Sequence, residues 1–233
     1  LVPQRILRGG GFFRGGGIWL LRKLSALYTR ALPRAFRGYR RYLLFACVLF
    51  ATCVVVGYKD YQIQGDQLPW MFRNLAALRD SMEQKSRGMQ VLMLFWNNLR
   101  VSLISLLFGW ILGIVPMLSV GLNGVLIGVG ARLMVARGGW PFGIVIASFM
   151  PHGVLELPAF IAVQAVGMRL GFLIPLVWRG RATTGDLGRA FAEGVVILLL
   201  FAVPALALAA AVELSLTPAL IRAMAPGYPA IPY

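Results

Sequence analysis

Hydrophobic and polar positions fall along this chain in long blocks, and each block predicts an element. Residues 18–32 repeat apolar positions at helical spacing (Leu20, Leu24, Leu27, Ala31), with Arg22, Lys23 and Arg30 among them. That pattern predicts a helix lying in a membrane interface, ended by Pro33 and Gly38. Ahead of it, "RGGGFFRGGG" (8–17) is basic, flexible and low in complexity. Residues 42–58 form the first apolar block long enough to span, with Arg40 and Arg41 before it and a tyrosine at each end. The polar segment 59–96 follows and predicts a short amphipathic helix with Pro69 in its first turn and Gly88 as its stop. A second span is expected over about 101–118. The turn "VGLNG" (120–124) then reverses the chain, because Asn-Gly tolerates positive φ. A short third span of about 122–134 is closed by Arg132 and Arg137.

The apolar block 141–177 exceeds the ~25 residues of one straight crossing, and Pro151, Gly153 and Pro158 interrupt it. It predicts a broken or kinked span, with a re-entrant half and a sixth crossing as alternatives. Residues 178–194 read as a loop carrying Arg179, Arg181 and Arg189, and the last span follows over about 194–217. The fold class is therefore all-α: a polytopic membrane helix bundle of about five spans with one broken or kinked helix, plus an amino-terminal amphipathic helix. Its parts are a basic, Gly-rich and amphipathic segment (1–41), the bundle (42–217) and a Pro-rich tail (218–233). Gly109-x-x-x-Gly113, Gly124-x-x-x-Gly128 and Gly167-x-x-x-Gly171 offer close backbone approach between helices.

Composition agrees, with 59% hydrophobic and only 13% charged residues, against roughly 45–50% and about 25% in a soluble domain. Charge adds an orientation. Ten of the basic residues lie in 1–41 with no acidic one, beside a net charge of +15 for the whole chain. An apolar span follows at once, so this run is expected to face anionic lipid on the cytoplasmic side rather than nucleic acid. The first span is expected to be a retained signal-anchor, since no apolar h-region with a cleavage site precedes Arg41. Cys47 and Cys53 both sit inside it and cannot build a secreted disulfide framework.

Candidate chemistry gathers at "FMPHGVLELPAF" (149–160), which holds the single histidine, His152, and Glu156 four residues on. On a helix the two share a face, and at bilayer depth each needs a partner. Asn97, Asn98, Asn123, Arg132 and Arg169 are the candidates. A structural reading has Glu156 and His152 bonding backbone freed by Pro151 and Pro158. A binding or conduction pocket is the second reading. One His and one Glu are too few ligands for zinc. There is also no H-E-x-x-H, no G-x-S-x-G and no paired carboxylate near Glu156 for acid–base work. No catalytic residue, metal site or cofactor is expected. Glu193 and Glu213, flanking the last span, read as interfacial or intrabundle carboxylates.

The order "NN" (Asn97, Asn98), "NG" (Asn123, Gly124) and "PHGVLELPA" (151–159) resembles the stage II sporulation protein M family, most clearly over 97–171. The matching positions are Asn98, Asn123, Gly124, Pro151, His152, Gly153 and Glu156, an intramembrane polar cluster that is structural or binding. The resemblance implies an all-helical bundle of about five spans in the cytoplasmic membrane without known enzymatic activity. It also implies a scaffolding role, since the namesake anchors two peptidoglycan-degrading proteins during engulfment in spore formers. Relatives of the Pro-His-Gly type occur in organisms that make no spores, so sporulation itself does not follow. The basic extension of 1–41 is expected to lie outside the family pattern.

The expected function is a non-enzymatic membrane scaffold for partner proteins, with cell-wall remodelling as its setting. The alternative is a transporter or channel component with a polar intramembrane pocket. Expected partners are the bilayer, with anionic lipid at the basic amino terminus, and other membrane or cell-envelope proteins; the reading admits a homo-oligomer and excludes nucleic acid.

Overall fold

The structure, a computed structural model, describes residues 25–60, 77–78, 80–136 and 138–224, apart from the side chains of Asp60 and His152. Its elements are a π-type turn at Leu27–Ala31 and then helices α1 (Leu32–Asp60), α2 (Arg87–Phe108), α3 (Ile114–Ala136), α4 (Phe142–Trp178) and α5 (Thr184–Ile197). A second π-type turn, Leu198–Ala202, joins α5 to α6 (Val203–Met224). Among the described residues, five helical stretches are long and apolar enough to cross a membrane: Leu27–Lys59, Arg87–Phe108, Ile114–Ala136, Gly153–Trp178 and Thr184–Met224. The fold is an all-α polytopic bundle.

Glycine contacts set the bundle's directions. A Cβ at Gly124 would meet Cys53 Cβ and the Phe50 carbonyl oxygen, each at 2.8 Å. One turn on, a Cβ at Gly128 would meet Tyr58 N at 2.8 Å and the Val54 carbonyl oxygen. Residue numbers rise together along this seam, so α1 and α3 run parallel with backbones nearly touching. α4 runs the other way: Tyr42 meets the Phe172 ring at one end (centroids 6.0 Å apart), and Tyr58 meets Phe142 at the other (5.9 Å). The α5–α6 stretch returns alongside α4, and α2 with α3 makes a hairpin against α4.

The hairpin's reversal is not where the sequence puts it. The chain turns at 109–113, "GWILG", with Leu112 at φ 50° and Gly113 at φ 72°. Its N–H groups are paired inside the turn: Ile111 to Phe108 O (3.1 Å), Gly113 to Gly109 O (2.9 Å) and Ile114 to Ile111 O (2.9 Å). An apolar turn satisfied in this way is compatible with lipid. "VGLNG" stays helical inside α3, because Gly124 is pressed against α1 and Asn123 Nδ2 donates to Ser119 O at 2.8 Å. The second span accordingly lies at Arg87–Phe108 and the third at Ile114–Ala136.

Three further expectations change. Gly88 does not stop a helix; it sits in the first turn of α2. Most of the amphipathic helix expected before it lies outside the described residues. A Cβ at Gly88 meets nothing within 4 Å, so Gly88→Ala should raise the melting temperature modestly, by up to ~1 kcal/mol of stability; a clear loss in a thermal unfolding scan would contradict this. Pro33 and Gly38 do not end the amino-terminal helix either. From Ser25 the chain is helical into the first span, and the π-type turn before Pro33 marks the local departure from the regular ladder. The part of that helix before residue 25 lies outside the described residues. Finally, of the broken or kinked span expected over 141–177, α4 is the unbroken form, one helix of 37 residues with Pro151, Pro158 and Pro175 inside it and no re-entrant half.

The 178–194 loop is shorter than expected, because α5 starts at Thr184. Thr183 Oγ1 accepts from Asp186 N (3.1 Å) while Asp186 Oδ2 accepts from Thr183 N (2.9 Å), a reciprocal cap that starts the helix there. Thr183→Ala should cost about 1 kcal/mol, read as a lower unfolding midpoint; an unchanged midpoint would show the cap to be dispensable. At its far end α6 continues through Pro218 to Met224, into the stretch the sequence reads as tail.

Candidate functional site

Polar side chains at bundle depth form separate layers. The first joins α1, α4 and α5. Gly38 leaves room on α1, where a Cβ would meet Arg169 Nη1 at 2.7 Å. In that space Arg169 Nη1 donates to Glu193 Oε2 at 2.7 Å, with side chains 18% and 29% exposed. The guanidinium lies over the Tyr39 ring, 4.5 Å from its centroid, and the buried Tyr39 hydroxyl donates to the Ala190 carbonyl oxygen. Arg stacks on an aromatic face while its fork stays free for a carboxylate. The arrangement is a three-helix clamp.

The second layer is Glu156 of α4 with Glu213 of α6. Each is half-buried on its helix, and α4 and α6 pack along one another. Along α4, Glu156 stands thirteen residues from Arg169, or about 20 Å at the helical rise. Of the partners expected for Glu156, Arg169 belongs to Glu193 instead, and Arg132 lies over the Tyr58 ring, 5.7 Å from its centroid. Asn123 bonds within its own helix.

Asn98 offers its backbone carbonyl to Ser102 Oγ at 3.1 Å. Its level on α2 follows from the Ser105 carbonyl, which lies against Gly167 of α4; counted back from there, Asn98 falls at the level of Phe160, one turn from Glu156. Gly124 serves the α1 seam. Pro151 and Gly153 are half-buried in α4, and a Cβ at Gly153 would meet only Leu157 Cδ1, at 3.8 Å. The backbone of His152 is helical, and its side chain lies outside the description. The structure therefore distributes the expected cluster over several seams, and among the described residues Arg169, Arg132 and Asn123 are engaged elsewhere.

A family model described as Stage II sporulation protein M matches residues 16–218. The chain belongs to that family. The match begins well before the first span, so the stage II sporulation protein M pattern includes most of the amphipathic segment expected to lie outside it. No curated protein and no solved structure matches this chain. Within this family member, the sequence reading passed over Tyr39, Gln164 and the Arg169–Glu193 pairing. Arg169 did carry a signal: beside His152 and Glu156 it is the remaining ionisable group between Gly138 and Trp178, and such residues inside a span need partners.

Proposed function

We propose that this protein is a non-enzymatic scaffold of the cytoplasmic membrane that holds cell-envelope proteins, with cell-wall remodelling as its setting. The clamp supports the reading: Tyr39, Arg169 and Glu193 are spent on tying three helices into one body. The same clamp fixes the start of α1 to the bundle, where Ala35 and Tyr39 pack with Ile197, Leu198 and Ala202. On the opposite side of that helix Arg30, Arg34, Arg37 and Arg41 are exposed, at spacings of four, three and four. A rigidly mounted basic stripe suits anionic headgroups. Topology brings Arg179 and Arg181 to the same end, and that grouping supports a cytoplasmic amino terminus.

The test is quantitative co-purification of the tagged protein from its native membranes in mild detergent, beside an unrelated multispan control. Stoichiometric enrichment of a defined partner, above all a cell-wall hydrolase, is the expected result; recovery of the protein alone would end the scaffold reading. Glu156, an ionisable group inside the spanning stretch Gly153–Trp178, favours one alternative, a transport component with a polar intramembrane pocket. Proteoliposome flux that is present in the wild type and lost in a folded Glu156→Gln variant would select it.

A further inference from the structure

We propose that the junction of α2, α3 and α4 is an internal hydration site centred on Gln164. The three helices converge at Gly167. A Cβ there would lie 2.6 Å from the Ser105 carbonyl oxygen of α2 and 3.0 Å from Pro116 Cγ of α3. One helical turn away, in the same direction along the bundle, stand Ser102 on α2, Ser119 on α3 and Gln164 on α4. The spacing of three residues keeps each on the face that meets its neighbours at the convergence. The sequence thus places a glutamine and two serines (Ser102, Ser119) in one stratum of an otherwise apolar interior, with Ser105 one turn away at the Gly167 contact.

This stratum has hydrogen-bonding capacity the protein does not meet. Gln164 is fully buried, and among the described residues neither its Nε2 nor its Oε1 has a partner. The buried hydroxyls of Ser105 and Ser119 are likewise unpartnered. Helical serines ordinarily give their proton to a carbonyl one turn back, as Ser102 gives its to Asn98 O. Bare amide and hydroxyl groups away from water are costly, and more so in lipid, where no solvent can reach them.

The donor and acceptor set identifies the guest. A cation would serve Oε1 and the hydroxyl oxygens but set a like charge against the Nε2 hydrogens. An anion has the reverse fault. Water accepts from Nε2, donates to Oε1 and still reaches a serine, the two to four polar partners that a buried water takes. The Gly167 and Gly171 contacts bring backbone against backbone just below, so the seam between the hairpin and α4 is tight at the turn and wet one turn above it. The site lies about 8 Å along α4 from Arg169 and about 12 Å from Glu156. It stands whether the protein is a scaffold or a transporter.

The test uses the full chain in lipid bilayers with glutamine side-chain amides labelled by nitrogen-15. In water-edited solid-state NMR, the signal that disappears in Gln164→Leu should take up water magnetisation as the amide of Gln90, in the first turn of α2, does. A Gln164 signal that stays dark while Gln90 responds would overturn the site. Stability gives an independent reading by sign. Gln164→Leu should lower the melting temperature by several degrees if the amide is hydrated, whereas removal of a bare amide would raise it, and a rise overturns the proposal. Should Gln164→Leu fail to fold, Gln164→Asn supplies the assignment, since glutamine-selective labelling leaves the new side chain silent.

Discussion

Gly171→Ala should cost the protein its docked α2–α3 hairpin. A Cβ at Gly171 would fall on the Gly113 nitrogen and the Gly109 carbonyl oxygen, and against Gly113 Cα at 2.5 Å. Every one of these is backbone, so no side chain can swing aside. The hairpin would have to lift as a unit, and its neighbouring contact, Gly167 against the Ser105 carbonyl oxygen, would be lost with it. Overpacking of an ordinary core costs about 1–3 kcal/mol; with rigid atoms on both sides the loss here should exceed that range. In lipid no general hydrophobic force draws the helices back together, and association rests on this close packing. Folded yield in size-exclusion chromatography and the melting temperature of whatever folds would report it. Gly143→Ala is the control, since a Cβ there meets nothing within 4 Å. Equal behaviour of the two variants would show that the glycine seam does not hold the hairpin.

Removal of Glu193 should be the most damaging single change among the polar residues. Glu193→Leu leaves the Arg169 guanidinium without its carboxylate in a site where the two side chains are 18% and 29% exposed. Breaking a buried pair from one side costs on the order of 3–5 kcal/mol, because the remaining charge is stranded; the partial exposure here points to the lower end. The double variant Arg169→Leu with Glu193→Leu should recover most of that loss, since no charge is then left behind. Tyr39→Phe removes the bond to Ala190 O but keeps the ring under Arg169, and should cost about 1 kcal/mol. Thermal unfolding of the wild type, Arg169→Leu, Glu193→Leu and the double variant forms the cycle. A double variant no better than Glu193→Leu would mean that the stranded charge is not what destabilises, and the clamp would lose its energetic basis.

These effects sit where the sequence was hardest to read. The reversal at 109–113 is written in apolar letters, "GWILG", which lengthen an apparent span, while "VGLNG" has turn letters and is helical. Composition misleads at both places for one reason. Glycine is read as a turn residue when its conformational freedom is used, and as a packing residue when its missing side chain is used. Gly113 uses the first at φ 72°, and Gly124 uses the second against Phe50 and Cys53. Gln164 passed unnoticed because a span is apolar on every face, so periodicity gives no sign of which side meets protein. The "PHGVLELPA" element, by contrast, was legible enough to assign the family, although the family positions outside it, Asn123 and Gly124, lie on another helix and Gly124 packs against α1.

The sequence by itself determined the all-α bundle, the five spans, the uneven basic charge and the family, because each follows from apolar run length or local residue order. Only the tertiary structure decided that Arg169 belongs to Glu193, that Arg132 lies over Tyr58, and that Gly109, Gly113, Gly167 and Gly171 form one contact. Those pairings depend on helix rotation and register. In a membrane these are set by which surfaces fit closely enough to exclude lipid, a property of two helices together that neither sequence segment carries alone.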